Sequence, residues 1–325
     1  MNEMTAVVQD GYGPVDVVRV ARLAVPTISD DEVLVQVHAA GLDRGTWHLM
    51  TGRPYLLRLA FGLRRPRNPV LGRDVAGTVA AVGSAVTGFA VGDEVFGVAP
   101  GSCAEYAVAR PDKLVPKPAR LTFAQAATVP VSATVALQAL DAGRVGPGQH
   151  VLVTGASGGV GSYAVQLAKA MGARVTGVCG TGKVDLVRSL GADQVVDYTQ
   201  ADFAAGADRY DVIIDIAGSP SLSRLRRALT PTGIAVLVGG EEGGDLTGGM
   251  IERQLAARVR FWFGAQRITS VLGRERGSDL RRVAEFIEAG TVTPAVDRSY
   301  PLDQTVEAMR RLDAGEVRGK LAVTI

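Results

Sequence analysis

Residues 151–175 read VLVTGASGGVGSYAVQLAKAMGARV, and their reading decides the fold. The apolar run Val151-Leu152-Val153 meets a glycine-rich turn that begins at Gly155 and ends at Gly161. Val160, Ala164, Leu167 and Met171 then recur at helical spacing, and Gly172 closes the pattern before a second apolar segment at 174–178. Strand, tight turn, helix and strand form the first unit of a dinucleotide-binding sheet. Within the turn, Gly158 lets the backbone approach a pyrophosphate, and Gly161 lets helix and strand pack closely. The helix start supplies free N–H groups and a partial positive charge to the phosphates. Ala156, Ser157, Gly158, Gly159 and Val160 are therefore candidate cofactor-binding residues.

Working outward, the pattern predicts strands at 151–154, 174–178, 194–197, 211–216, 234–238 and 259–263. Helices are expected at 159–171, 183–190, 222–229 and 250–256. Six strands with crossover helices make a doubly wound parallel sheet. Residues 1–120 read instead as short strands and turns, among them 5–9, 17–20 and 32–39, where Val33, Val35 and Val37 alternate with other residues. Closely spaced glycines and valines at 69–83 suit a small, tightly turned barrel, and Gly92-Asp93 is a hairpin signal. Residues 122–140 are helical in composition but carry Pro130, which predicts two helices with a break near 129–130. After the parallel sheet, a helix at 278–289, a strand at 293–300, a helix at 303–314 and a strand at 320–325 leave the alternation and are expected to return to the first domain. The domains so drawn are 1–123 with 266–325, and 124–265.

The chain has 325 residues, is 47% hydrophobic and contains 40 glycines, the composition of about two globular domains. A net charge of +2 gives no reason to expect nucleic acid or an anionic membrane as a partner. Two cysteines, Cys103 and Cys179, are too few for a disulfide framework or a four-cysteine zinc lobe, and both read as core residues. Residues 1–10 lack the basic start and apolar core of a signal peptide, and no apolar run approaches the ~20 residues that cross a bilayer. A cytosolic protein with a small-molecule substrate is expected. In the segment 41–55, Asp43, Thr46, Trp47, His48 and Tyr55 gather with little periodicity, which reads as a surface loop of the kind where sites collect. Arg58, Arg64, Arg65 and Arg67 form a basic run, read as a solvated loop with contact to an anionic substrate as the alternative.

The stretch GRDVAGTV at 72–79, then Gly83, Gly88 and GDEV at 92–95, the turn at 156–161 with QLAK at 166–169, and the closing RGKLAV at 318–323 resemble the medium-chain dehydrogenase/reductase superfamily. Within it the chain is similar to the zinc-free quinone oxidoreductase branch. The resemblance implies an α/β protein: a GroES-like β-rich catalytic domain beside a Rossmann domain with a doubly wound parallel sheet, and an active site in the cleft between them. Zinc-dependent members use a cysteine in the region of 41–48 and Gly-His-Glu where this chain has Gly72-Arg73-Asp74. Here the first region has no cysteine and Arg73 cannot ligate a metal, so no metal site is expected.

Without a metal, an acceptor that spreads charge over a conjugated system is favoured over a plain ketone. The expected reaction is hydride transfer from NADPH to a quinone or α,β-unsaturated carbonyl. An alcohol or aldehyde dehydrogenase, and a non-catalytic NADPH-binding redox sensor, are the alternatives. The family often has asparagine where Asp43 stands; an ionised aspartate accepts hydrogen bonds but cannot donate them. Tyr55 is therefore the better candidate donor to the acceptor oxygen, with Thr46 and His48 behind it and Trp47 as a flat wall for a ring. About 20 residues beyond the glycine turn, where an NAD site carries a carboxylate, the sequence reads VCGTGK at 178–183. Gly180, Thr181 and Lys183 offer a hydroxyl and a positive charge to a 2′-phosphate, which selects NADPH. The resemblance adds Tyr198 beside the adenosine, and Thr134, Val238 and Gly239 near the nicotinamide. It also implies a homodimer through RVRFWF at 258–263, read as the last strand of the sheet.

Overall fold

The computed structural model describes residues 3–218, 220–239, 246–247, 249, 252–253, 256–257 and 264–325. The chain divides into two units, Met1–Thr134 with Glu275–Glu288 and Pro294–Ile325, and Val135–Arg274 with Ala289–Thr293.

In the second unit, strands covered on both faces are apolar without alternation, as in His150–Thr154 and Tyr210–Asp215. The sheet order is Gln194–Asp197, Arg174–Cys179, His150–Thr154, Tyr210–Asp215, Leu229–Leu237, Arg267–Ser270, with every neighbouring pair parallel. The strand His150–Thr154 comes first in the chain and lies in the middle of the sheet. The chain builds outward from it to one edge and then to the other, so the winding reverses between His150–Thr154 and Tyr210–Asp215. The helix Gly159–Ala170 buries its residues from Gly161 to Ala168. At Gly161 a Cβ would lie 2.0 Å from the carbonyl oxygen of Gly155, so only glycine allows this close approach.

Five of the expected strands are present. The fifth starts earlier than expected, at Leu229, because its first half, LTPTG, carries a proline and a glycine that mask the strand pattern. The stretch 259–263 and most of 250–256 lie outside the described residues. The described sheet ends instead on Arg267–Ser270, whose four residues RITS are too short and too polar to announce a strand.

In the first unit, seven strands form a sheet in the order Val296–Pro301, Lys320–Thr324, Val33–Leu42, Asp74–Val82, Glu94–Val98, Leu114–Pro116, with Tyr106–Ala109 also paired to Val33–Leu42. Val33, Val35 and Val37 point inward against Val75, Val79 and Val95, as their alternation predicted. The last strand, Lys320–Thr324, runs antiparallel to Val33–Leu42, pairing Leu321 with Leu42. The helices Phe123–Ala127 and Pro130–Gly143 flank the expected break, and Thr122 caps the first through a reciprocal bond with Gln125.

The segment 41–55 is a correction. It is not an unstructured loop: Arg44–Thr51 is an α-helix, with Asp43 at its N-cap accepting from the Thr46 N–H and Gly52 ending it at φ 63°. Only Thr46 and Met50 are buried in it, too few to leave an apolar period in the sequence.

Replacing Gly161 by alanine should lower stability by about 1–3 kcal/mol, the usual result of forcing a methyl into a packed contact. Gly146→Ala, where the new Cβ would meet nothing within 4 Å, is the control and should leave thermal unfolding unchanged.

Candidate functional site

The carboxyl ends of the parallel strands gather most of the residues expected to hold a cofactor. After His150–Thr154 comes the turn that opens with Gly155 at φ 66° and leads into the helix capped by Gly158. A Cβ on Gly158 would meet only the Gly155 oxygen, at 3.4 Å, so the side of the turn it faces is open to an incoming group. The loop after Tyr210–Asp215 packs against this turn, and the loop after Leu229–Leu237 packs against that loop. A Cβ on Gly155 would lie 3.3 Å from the Ala217 nitrogen, and one on Gly239 only 1.9 Å from the Ile216 oxygen. The Val238 N–H donates to the Asp215 oxygen at 2.9 Å.

A buried carboxylate fixes these loops, and sequence reading missed it. Asp215 is fully buried; it accepts from Thr154 Oγ1 at 2.7 Å, from the Gly218 N–H at 3.3 Å and from Arg253 Nη2 at 2.5 Å. Arg253 also donates to the Gly218 and Pro220 oxygens, both at 2.7 Å. The Thr154 hydroxyl accepts in turn from the Ile216 and Ala217 N–H groups. The signal was present in VIID at 212–215, where an aspartate ends an apolar run.

On the other side of the reversal, Gly180, Thr181, Lys183 and Tyr198 follow the strands Arg174–Cys179 and Gln194–Asp197. Tyr198 is 63% exposed, and a Cβ on Gly180 would lie 3.3 Å from its hydroxyl. Thr181 Oγ1 bonds Thr199 Oγ1 at 3.0 Å. A carboxylate unnoticed in the sequence joins them: Asp197, held below the ordinary carboxylate value by hydrogen bonds from the Thr181 and Thr199 side chains. Asp197, Lys183 and Arg188 all bear electrostatically on the buried Cys179, so this corner carries both signs of charge.

The first unit holds the remaining candidates. Asp43 Oδ1 accepts from the Thr46 N–H at 2.9 Å and from Thr46 Oγ1 at 3.2 Å, so the buried Thr46 hydroxyl serves the cap. Trp47 donates through Nε1 to Asp313 at 2.6 Å and carries the Arg44 guanidinium 4.0 Å from its ring centre, which makes it a packing residue. His48 Nδ1 lies 2.7 Å from the Arg53 oxygen. Tyr55 is 39% exposed, with the Arg58 guanidinium 4.5 Å from its ring centre. Thr134 is buried and donates to the Pro130 oxygen at 2.7 Å.

The other Asp43 oxygen leads to a cluster that sequence reading also missed. Lys320, 1% exposed, donates to Asp43 Oδ2 at 3.3 Å, Asp74 Oδ2 at 3.2 Å and Ser132 Oγ at 3.0 Å. Asp74 Oδ1 accepts from the Val131 N–H at 3.0 Å, at the start of Pro130–Gly143. Burial pushes the Asp74 carboxyl up to about 7, against the pull of Lys320 and with the push of Asp43. At Asp43 burial also works upward, but Lys320 and the Thr46 N–H outweigh it and hold the carboxyl below its ordinary value. Burial works downward on Lys320, and the two carboxylates outweigh it, so the ammonium is held above its ordinary value.

Arg73 pairs with Glu275 and stacks 5.8 Å over Phe61. Cys103 and Cys179 are buried, and burial pushes the Cys103 thiol up to about 12. Among the described residues no three His, Cys, Asp or Glu side chains are grouped to hold a metal.

Comparison with known proteins matches residues 29–119 to the alcohol dehydrogenase GroES-like domain and residues 190–323 to the zinc-binding dehydrogenase family. The chain is 32% identical to a chloroplastic quinone-oxidoreductase homolog of Spinacia oleracea, over 98% of each chain. It is also 32% identical to a chloroplastic NADPH-dependent alkenal/one oxidoreductase of Arabidopsis thaliana, over 99% of this chain and 79% of that one. The quinone oxidoreductase structure from Coxiella burnetii superposes with a TM-score of 0.86 at 29% identity, covering 100% of both chains. The cytosolic expectation is corrected by the two plant relatives, whose names put them in the chloroplast. The charge and hydropathy behind that expectation are common to proteins of both compartments.

Lys320→Met should cost about 3–5 kcal/mol, because it strands two buried carboxylates, and adding Asp74→Asn should recover part of the loss. The pH dependence has a definite sign. The raised Asp74 value means that the folded chain holds a proton the unfolded chain has released, so Asp74's contribution is full below about pH 4 and is lost as pH rises through about 7. Urea unfolding across this range should show the parent chain losing stability relative to Asp74→Asn as pH rises.

Proposed function

Because this chain belongs to the medium-chain dehydrogenase/reductase superfamily, in its quinone-oxidoreductase-like branch, we propose that it passes hydride from NADPH to a quinone or an α,β-unsaturated carbonyl without zinc. The observation that carries the reading is the buried Lys320, to which Asp43 and Asp74 are both committed. These carboxylates stand in the two regions where zinc-dependent members carry metal-site residues, and here the chain's own ammonium is bonded to both. Arg73 replaces the histidine of those members, pairs with Glu275, and has no lone pair to offer a metal. An acceptor reduced here must then disperse its own developing charge, which a conjugated system does and a plain ketone does not.

When bound, the reduced nicotinamide supplies the hydride. The chain's part is to hold and orient it. The N–H groups of the helix start at 159–161 would face the pyrophosphate, with Gly158 permitting the approach, while those of Ala156 and Gly158 are bonded to the Val178 and Gly155 oxygens. Gly180, Thr181, Lys183 and Tyr198 take the adenosine end, and Val238 and Gly239 border the nicotinamide. Lys183 favours a 2′-phosphate and Asp197 opposes it. Asp43 is an acceptor fixed in a helix cap and the Thr46 hydroxyl is bonded to it, so Tyr55 is the donor to the acceptor oxygen. The chain forms a homodimer in this reading through 258–263, which lies outside the described residues; light scattering that finds a monomer at micromolar concentration would remove that part.

Catalytic efficiency should be higher with NADPH than with NADH; Lys183→Ala should shrink the ratio and Asp197→Asn should enlarge it. Equal efficiency with both cofactors in the parent enzyme would sink the NADPH assignment. Tyr55→Phe should slow turnover by up to the ~10²–10³-fold typical of losing one oxyanion donor, with little change in NADPH affinity. A chelator should leave the rate unchanged, and activity that disappears with chelator and returns with zinc would overturn the mechanism.

A further inference from the structure

Residues 53–67 read RPYLLRLAFGLRRPR, with five arginines and no acidic residue. The stretch is also where exposed apolar side chains concentrate. Leu56, Leu59 and Leu63 are 43%, 63% and 67% exposed, beside the partly exposed Tyr55. Of the nine large apolar side chains exposed among the described residues, these are four. Arg64, Arg65 and Arg67 are exposed in the same stretch.

The patch is held in shape. The 3-10 turn Tyr55–Leu57 runs into the helix Arg58–Phe61, which puts Leu56 and Leu59 three residues apart on one helical surface. Arg58 stacks on the rings of Tyr12 and Tyr55, at 4.6 and 4.5 Å, and donates to the Gly52 oxygen at 3.0 Å. Tyr12 Oη donates to the Gly62 oxygen at 2.7 Å, and the Arg67 N–H to the Phe61 oxygen at 2.8 Å.

We propose that this patch docks the protein on the surface of an anionic lipid bilayer, its leucines entering the boundary between headgroups and acyl chains and its arginines meeting lipid phosphates. The two features together select this occupant. A nucleic acid would use the arginines and leave the leucines in water. An apolar protein groove would use the leucines and leave the arginines without counter-charge. An anionic bilayer meets both demands. No described helix is long and apolar enough to cross a membrane, so the contact is with the surface. A chain with a net charge of only +2 can bind this way because the field acts within a Debye length of the patch and not on the whole molecule. The inference shares Tyr55 with the hydride-transfer reading but rests on Leu56, Leu59, Leu63 and the arginines, which that reading does not use.

The test is co-sedimentation of the full chain with vesicles of phosphatidylcholine alone, or of equal parts phosphatidylcholine and phosphatidylglycerol. Binding should occur with the anionic vesicles only and weaken as salt is raised. Two surface variants separate the contributions: Arg64→Gln with Arg65→Gln and Arg67→Gln, and Leu59→Ser with Leu63→Ser. At about fivefold per arginine, the first should weaken binding about a hundredfold, and the second should weaken it several-fold. An unchanged thermal midpoint in both variants establishes that folding is intact. Failure to sediment with anionic vesicles overturns the proposal, as does binding that neither variant weakens. So does RNA binding that depends on the arginines and ignores the leucines in the absence of vesicle binding. Self-association abolished by the leucine variant, again without vesicle binding, would make the patch an interface between copies.

Discussion

The ammonium of Lys320 is the constraint on which the first unit's polar interior depends. It has three N–H donors and meets three acceptors, on Asp43, Asp74 and Ser132. Each carboxylate uses its other oxygen to hold a backbone N–H at a helix start, Thr46 in one case and Val131 in the other. One buried charge thereby ties the last strand of the chain to two helix N-termini. Desolvating three ionisable groups is expensive, and the arrangement persists because every polar atom in it is answered by another.

The second unit uses the same device at the carboxyl edge of its sheet. Asp215 is buried against Thr154 and Arg253, and those partners bind the backbone of the following turn. The glycines at 155, 161 and 239 allow backbones to approach one another closely. Glycine alone would leave those loops many conformations, and the carboxylate selects one. The loops proposed to cradle a dinucleotide are thus jointly specified by residues with no side chain and by a charge that solvent does not reach.

The glycine turn and its flanking strands were legible because they are local: an apolar run, a turn and a helical period follow within 25 residues of sequence. The helix Arg44–Thr51 was hidden because only two of its residues are buried, so no apolar stripe marks it. The strand Arg267–Ser270 was hidden because none of its residues is fully buried. Lys320 escaped for another reason, since its carboxylate partners lie 277 and 246 positions away. Composition could still have flagged it: a lysine opening the buried strand KLAVT, like the aspartate opening DVAGTVAAV, is a charge where the pattern demands none. Of the candidate site, the glycine turn could be read from a local motif. The roles of Asp43, Thr46 and Trp47 could not, because cap geometry and long-range bonds decide them.

The same cluster limits the chemistry that the first unit can offer. A divalent ion set between Asp43 and Asp74 would have to sit beside a permanent cation already bonded to both. Lys320 takes the place between the two carboxyls with one positive charge where a divalent metal would bring two, and it does not take over a metal's function. A metal with an open coordination position binds and polarises an acceptor oxygen. An ammonium whose three donors are all engaged by the protein has none left for a substrate. In the proposed reaction, stabilisation of developing negative charge is then left to the exposed Tyr55 hydroxyl and to the acceptor's own π system. A quinone or enone brings that dispersal with it, which is why the buried lysine and the proposed substrate class belong to one argument.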